Sequence, residues 1–212
     1  MKLNMLCRVA TLACLLAPGL LFAQKLDPAK NWEIGDKATY KMIVGTKPVE
    51  MEEELTSITA TDYVSVQRMG SKSFEYIFGK DGVLRKGVAN GEQSTFEPGL
   101  KHVDLPLEVG KKWTTEAMVV GDTFRNHVTH DCMVEKIEKV ATPAGEFDAF
   151  KVSYTGRIQG TNNKKRAYTG KDSGSEWIVM GADGKAYVIK SEYDNSFGTK
   201  ITRELVSVSY KK

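Results

Sequence analysis

Cysteine is scarce in this 212-residue chain, which contains three of these residues. Cys7 and Cys14 lie within the first 23 residues, and Cys132 is the one that follows. If that leading segment is removed, no intramolecular disulfide can form, and the fold must depend on its hydrophobic core. A single cysteine in an exported chain is by default a buried thiol that packs as a small apolar residue.

The sequence also lacks a strong charge of either sign. Its formal net charge is +3, and removal of residues 1–23 takes away Lys2 and Arg8 but no acid, which leaves +1. A nearly neutral chain gives no electrostatic case for binding nucleic acid. No nucleotide-binding or catalytic motif is present, and no pattern requires a cofactor.

One long hydrophobic run is present, and it lies at the N-terminus. Two positive charges precede an apolar stretch over Val9–Phe22, which is followed by the small residue Ala23. This pattern predicts a secretory signal peptide over residues 1–23, because the run is too short for a membrane-spanning helix. We therefore expect a periplasmic protein with no transmembrane segment after cleavage.

Cys14 raises the alternative of a lipoprotein anchor, since Thr11-Leu-Ala13 stands directly before it. Two features argue against lipid attachment: the leucine is out of place, and strongly apolar sequence continues after the cysteine. The sequence therefore favours a cleaved, unanchored protein.

The remaining residues, 24–212, predict a single all-β domain. Apolar and polar residues alternate in short runs, as in Lys37–Val44, and glycine-containing turns separate these runs. No amphipathic helix pattern follows the signal, and Pro98-Gly99 predicts a loop. We expect an antiparallel meander that forms a barrel or half-barrel. Charges on both faces of many strands argue against a lipid-facing outer-membrane barrel.

Two pairs of similar segments indicate an internal repeat. The segment Glu33-Ile-Gly-Asp-Lys-Ala-Thr39 resembles Glu108-Val-Gly-Lys-Lys-Trp-Thr114, and 75–82 resembles 176–184 in the same order. Two related halves, over residues 31–100 and 105–212, would produce this pattern. The alternative is chance similarity between short strand-and-turn segments.

The clearest turn is Thr142-Pro-Ala-Gly145, because proline sets the φ angle of a turn and Gly145 can adopt a left-handed conformation. After it, Phe150 and Val152 share one face of a strand. Before it, Val134 and Val140 fall on the same face of a strand while Ile137 falls on the other, which predicts a β-bulge or a local twist.

Three segments together carry a resemblance to a known family. They are Pro106-Leu-Glu-Val-Gly-Lys-Lys-Trp113, the hairpin from Thr142 to Val152, and Glu176-Trp-Ile-Val179. Over residues 105–190 the chain resembles TapB-like bacterial periplasmic proteins of unknown function. This resemblance implies an antiparallel, barrel-like β fold in the periplasm and carries no catalytic residue with it.

Candidate metal ligands cluster in His127-Val-Thr-His-Asp-Cys132. Histidine and cysteine suit zinc or copper, and His102 or an acid could complete a ligand set. On a strand, however, His130 and Cys132 share a face while His127 points away. The alternatives are a Cys132–His130 nucleophile pair, which this geometry disfavours, or two exposed histidines beside a buried thiol.

Aromatic residues supply the second candidate site. Trp32, Trp113, Trp177 and Tyr154 could line a groove for a small ligand, since aromatic side chains with polar tips suit concave sites. The alternative is that these residues fill the core, which is favoured for Trp113 and Trp177 because they lie inside predicted strands.

We expect a non-enzymatic protein that binds or carries a small apolar or amphipathic ligand, or assists envelope assembly. One alternative is an adhesive or scaffolding module that binds protein or polysaccharide on its outer surface. Another is an envelope hydrolase, which would need paired carboxylates. The acids Glu50, Glu52, Glu53 and Glu54 are instead predicted to form a solvated strand face. The oligomeric state is left open.

Overall fold

The computed structural model describes residues 26–27, 31–89, 91–161, 166–181, 184–195 and 198–211. The predicted signal peptide, including Cys14, lies outside the described residues. The described residues form twelve β-strands and no helix. Accordingly, nothing in these ranges meets the helix length and hydrophobicity needed to cross a bilayer.

Twelve strands form a closed antiparallel barrel, in which each strand pairs with the next and the last pairs with the first. The all-β meander predicted from the sequence is therefore confirmed. The strands are β1 Lys37–Val44, β2 Lys47–Ile58, β3 Asp62–Met69, β4 Lys72–Gly79, β5 Leu84–Ala89, β6 Glu92–Leu100, β7 Lys112–Gly121, β8 Arg125–Thr142, β9 Gly145–Thr161, β10 Ala167–Met180, β11 Ala186–Asp194 and β12 Lys200–Ser209.

Alternation along each strand decides which side chains face the interior. In β1, Ala38, Tyr40 and Met42 are buried, and the residues between them are more exposed. Their burial removes apolar surface from water, which is the main stabilising term for such a sheet. β6 was not predicted as a strand, because Pro98 and Gly99 indicate a loop in the sequence.

The segment between β6 and β7 covers part of the barrel interior. Leu107 packs there against Val134, Val152 and Ile178, and the last three side chains are almost fully buried. One region of the barrel is therefore filled by side chains from a connecting segment.

The predicted hairpin joins β8 to β9, with Thr142 paired to Gly145 across the turn. Gly145 has a φ of +140°, in the region that favours glycine. A register shift lies between Val134 and Lys136, which confirms the predicted bulge.

The Asp36 side chain forms hydrogen bonds with segments at both ends of the barrel sequence. Its side chain is 1% exposed, and its carboxylate accepts hydrogen bonds from the backbone N–H groups of Glu33, at 2.9 Å, and Lys211, at 2.6 Å. Lys211 follows β12, so this buried carboxylate links the segment before β1 to the segment after β12.

The turns that precede β1 and β7 have matching backbone geometry. Gly35 and Gly110 have φ angles of 97° and 89°. The N–H of Gly35 donates to the carbonyl of Leu55, at 2.7 Å, and that of Gly110 donates to the carbonyl of Val134, at 2.8 Å. Both acceptors stand at register shifts, in β2 and β8 respectively.

The turns that follow β4 and β10 also match. Each closes with a backbone hydrogen bond between two glycines and follows a register shift with the next strand. These bonds run from Gly82 N to Gly79 O at 2.9 Å and from Gly184 N to Gly181 O at 3.0 Å. The internal repeat stays a prediction, which these correspondences between β1–β6 and β7–β12 support.

Candidate functional site

The barrel contains a cavity of about 660 Å³. Its wall is amphipathic, since apolar rings and methionine side chains alternate with a few charged groups. The rings that β1, β3 and β4 contribute are those of Tyr40, Tyr63, Phe74, Tyr76 and Phe78. Such a lining offers apolar contact area together with a small number of polar groups that can orient a ligand.

Two of the four aromatic residues predicted for ligand binding, Trp32 and Tyr154, line this cavity. The ring of Trp32 lies 5.6 Å from that of Tyr187, another lining residue. The indole N–H of Trp32 is buried without a hydrogen-bond partner among the described residues. A buried donor left without a partner is costly, so this N–H is available to a polar group inside the cavity.

Trp113 and Trp177 lie elsewhere. The indole N–H of Trp113 donates to the backbone carbonyl of Lys101 at 3.0 Å, which holds the segment between β6 and β7 against the sheet. The indole N–H of Trp177 donates to a carboxylate oxygen of Glu138 at 2.7 Å, and the ammonium of Lys190 lies 4.8 Å from a Trp177 ring centroid. Both tryptophans have structural partners, in agreement with the core alternative.

A chain of hydrogen bonds connects three titratable side chains inside the barrel. Nε2 of His130 lies 3.2 Å from Oδ2 of Asp172, and Nδ1 of His130 lies 3.2 Å from Nε2 of His102. His130 is only 4% exposed, whereas His102 lines the cavity. The chain therefore runs from the barrel wall to the cavity surface.

The tautomers follow from the donors and acceptors that are present. A carboxylate can only accept, so in the His130 tautomer that donates to Asp172 the proton is on Nε2, and Nδ1 then accepts from Nε2–H of His102. His102 then presents an unprotonated Nδ1. Burial, with the nearby His130, lowers the pKa of His102 although Glu176 and Asp172 oppose this, and a neutral imidazole is the favoured form. The end of the chain is thus a hydrogen-bond acceptor.

Tyr154 and Gly156 fix the position of this chain. The Tyr154 ring stacks on the His130 ring with centroids 4.9 Å apart, and burial raises the pKa of the Tyr154 phenol. Gly156 leaves the space that the chain occupies: a Cβ there would lie 1.8 Å from Oδ1 of Asp172 and 2.5 Å from Cδ2 of His130. The absence of a side chain at position 156 is therefore a condition for the histidine–aspartate contact.

The predicted metal ligands are only partly brought together. His130 and Cys132 face inward, whereas His127 faces outward and contacts Glu116. Among the described residues, no group of three or more His, Cys, Asp and Glu side chains is arranged to hold a metal ion. The structure instead places His102 beside His130, whereas the sequence analysis considered His102 only as one option for an additional ligand.

Cys132 should be unreactive in the folded protein. Its side chain is 4% exposed, and burial raises the pKa of its thiol to about 12, with smaller contributions from Glu176 and Asp131. The reactive thiolate is then a negligible fraction at neutral pH. We expect 5,5′-dithiobis(2-nitrobenzoic acid) at pH 7.5 to label this thiol at least about a hundredfold more slowly in native than in urea-unfolded protein. Similar rates in the two states would contradict the buried position of Cys132.

Among the described residues, five charged side chains line the cavity, and one of them corrects a sequence prediction. Glu53 was predicted to share a solvated face with its acidic neighbours, yet it pairs in register with the buried Ala38 and faces the cavity. Glu52 and Glu54 do lie outside, where both contact Arg68. Strand alternation explains the difference, because consecutive residues point to opposite faces.

Comparison with known proteins gives no family assignment. No model of a known protein family matches this chain, and no curated protein matches it. The resemblance to TapB-like proteins consequently stays a prediction.

Solved structures with a partial likeness to this chain include three bacterial proteins, each with a TM-score below 0.5. A proposed exported protein with a YmcC-like fold from Bacteroides fragilis has a TM-score of 0.48 and 14% identity, over 88% of this chain and 99% of the other. A proposed lipoprotein from Parabacteroides distasonis has a TM-score of 0.47 and 14% identity, over 84% and 96%. The hypothetical lipoprotein YmcC from Escherichia coli has a TM-score of 0.44 and 10% identity, over 82% and 84%.

These descriptions name no ligand and no activity. Two of the three describe lipoproteins, whereas the sequence of this chain argues against an anchor at Cys14. That argument is a prediction about residues outside the described ranges.

Proposed function

We propose that this protein is an exported, non-enzymatic binding protein that holds a small amphipathic molecule inside its barrel. The observation that carries the proposal is the cavity of about 660 Å³ with an aromatic and methionine-rich wall. Ligand sites in proteins are typically concave, mostly apolar and roughly 300–1,000 Å³ in volume. Burial of the ligand's apolar surface would supply the binding free energy.

The position of the charged groups supports an amphipathic rather than a purely apolar ligand. Glu53, Glu176 and Arg203 lie in the cavity wall among the rings. Charges are costly in an apolar enclosure unless a partner or water solvates them. A ligand with a polar head could meet these groups, while its apolar part contacts the rings.

The outer surface gives less support to an adhesive module. Each strand of the described barrel pairs with a neighbour on both sides, so no strand has a wholly unpaired edge for pairing with another chain. Among the described residues, few large apolar side chains are strongly exposed, and Val109 and Ile137 are the most exposed of them.

The histidine chain gives only weak support to a hydrolase. Among the described residues, no serine, threonine or cysteine side chain hydrogen-bonds to His102 or His130. Cys132, the one thiol in the barrel, has a raised pKa. An imidazole acting as a general base needs such a nucleophile, or a positioned water, within hydrogen-bond reach.

The proposal is tested by filling the cavity. Ser65 lines it and is 8% exposed, whereas its neighbour Val64 lies on the other face of β3. We expect Ser65→Trp to weaken binding of the neutral fluorescent probe N-phenyl-1-naphthylamine at least about tenfold, because the indole occupies ligand volume. Val64→Trp, the matched control, should bind the probe as the wild type does.

Native mass spectrometry of protein purified without refolding provides the second measurement. Extra mass that is lost on denaturation, and that is absent from Ser65→Trp, supports the proposal. A wild-type protein that carries no extra mass and does not bind the probe contradicts it. Far-UV circular dichroism checks that both variants retain the β fold.

A further inference from the structure

Arg203 is a cavity-lining cation for which the described residues provide no contact partner of opposite charge. It lies on β12, and its guanidinium carbon is 4.9 Å from the ring centroid of Tyr40. Its Nε is buried without a hydrogen-bond partner among the described residues. A buried guanidinium donor left in this way is costly, since it has given up water and gained no acceptor.

Two carboxylates act on Arg203 without contacting it. Burial alone would lower the pKa of Arg203, but Tyr40, Glu53 and Glu176 outweigh that effect and hold the pKa above its ordinary value. Neither Glu53 nor Glu176 forms an ion pair with it in the described part of the barrel. The guanidinium is therefore charged, enclosed and open to an acceptor from the cavity.

The cavity wall carries charged groups of both signs. Among the described lining residues, Lys80, Lys185 and Arg203 are cationic, while Glu53 and Glu176 are anionic. The two lysines lie at another part of the wall, where both ammonium groups face the ring of Tyr63 at 5.9 and 5.3 Å.

We propose that the ligand carries an acidic head, a carboxylate or a phosphate, and that Arg203 binds its oxygens. This inference rests on the proposed function, because it names the head group of the molecule held in the cavity. Guanidinium presents several N–H donors in a fixed plane, which matches the oxygens of both anions. The neighbouring rings, among them Tyr40 and Tyr76, contact the apolar part of the same ligand.

Three probes with the same alkyl chain separate the head group from the tail: dodecanoate, dodecyl phosphate and 1-dodecanol. Their affinities are measured at pH 7.5 by displacement of N-phenyl-1-naphthylamine. Wild-type protein should bind at least one of the two acids about tenfold or more tightly than the alcohol, as expected for hydrogen bonds to a charged group. The comparison between dodecanoate and dodecyl phosphate tells a carboxylate ligand from a phosphate ligand.

Arg203→Met should remove this preference, so that acid and alcohol bind within about threefold of each other. Lys80→Met is the matched control, because it removes a lining cation from another part of the wall and should leave the preference intact. Arg203→Lys keeps the charge but loses the planar donors, and it should give an intermediate preference. This variant also provides a readout if Arg203→Met does not fold.

The outcomes separate the two proposals. Equal binding of all three probes by the wild type overturns the role of Arg203 and leaves the binding function standing. Loss of the preference in Lys80→Met, with retention in both Arg203 variants, places the head group at the other wall and also overturns the inference. Failure of all three probes and of the naphthylamine to bind overturns both proposals.

Discussion

Replacement of Asp36 by alanine is expected to lower the free energy of unfolding by about 3–5 kcal/mol, since hydrogen bonds to a buried charged group contribute about 1.5–3 kcal/mol each. The Asp36 carboxylate accepts from two backbone N–H groups, those of Glu33 and Lys211. Alanine would leave both donors without an acceptor at the point where the two ends of the barrel meet. Urea denaturation followed by tryptophan fluorescence gives the difference in free energy.

Two further substitutions sharpen this prediction. Asp36→Asn retains one carbonyl acceptor, so its effect should be smaller than that of alanine. Asp148→Ala is the matched control, since the Asp148 side chain is 71% exposed and its nearest ion-pair partner, Lys139, is 3.8 Å away. Exposed carboxylates of this kind contribute little, and a change within about 0.5 kcal/mol is expected. If Asp36→Ala and Asp148→Ala lowered the free energy of unfolding by similar amounts, Asp36 would not have the stabilising role described.

Gly156→Ala is the second large effect, with an expected loss of about 2–5 kcal/mol from overpacking and from disruption of a buried hydrogen bond. The new Cβ would lie 1.8 Å from a carboxylate oxygen of Asp172 and 2.5 Å from a ring carbon of His130. His130 is 4% exposed and stacked on Tyr154, so it has little room to move aside. The same denaturation experiment measures the loss.

Gly87→Ala is the matched control for this substitution. Gly87 also lies within a strand, but a Cβ there would meet the Tyr76 ring at 3.6 Å, an ordinary van der Waals distance. Such a substitution often stabilises a protein by about 0.4–1 kcal/mol, because it restricts the unfolded chain. The change in the free energy of unfolding should therefore have opposite signs in Gly156→Ala and Gly87→Ala. A Gly156→Ala protein as stable as Gly87→Ala would show that Asp172 and His130 are not confined as described.

Local chemistry explains which features the sequence predicts. The turn at Thr142–Gly145 and the bulge after Val134 follow from residues that are close in the chain, and both predictions are confirmed. Strand β6 was missed because Pro98 and Gly99, which usually interrupt a strand, are accommodated near its end. If strict alternation had been applied along β2, the sequence analysis would have predicted that Glu53 faces the interior, while Glu52 and Glu54 face outward.

The candidate site is harder to predict, because its members are distant in the chain. His102, His130 and Asp172 come from the segment after β6, from β8 and from β10, and only the pairing of strands brings them together. The Nε of Arg203 is buried without a hydrogen-bond partner among the described residues. No sequence pattern predicts this, because arginine side chains are usually exposed to solvent. Trp32 and Tyr154 were predicted as lining residues because ligand cavities are often lined by aromatic side chains, and both line the cavity.

Closure of the ring has a consequence for the way the protein folds. β1 pairs with β12, and Ala38 lies opposite Val208, so the seam joins the two most distant strands of the meander. Contacts of such high sequence separation are formed late and slow the folding reaction. Until β12 is in place, β1 presents an unpaired edge that other chains can extend. The interval before closure is thus the period in which this protein is most exposed to aggregation.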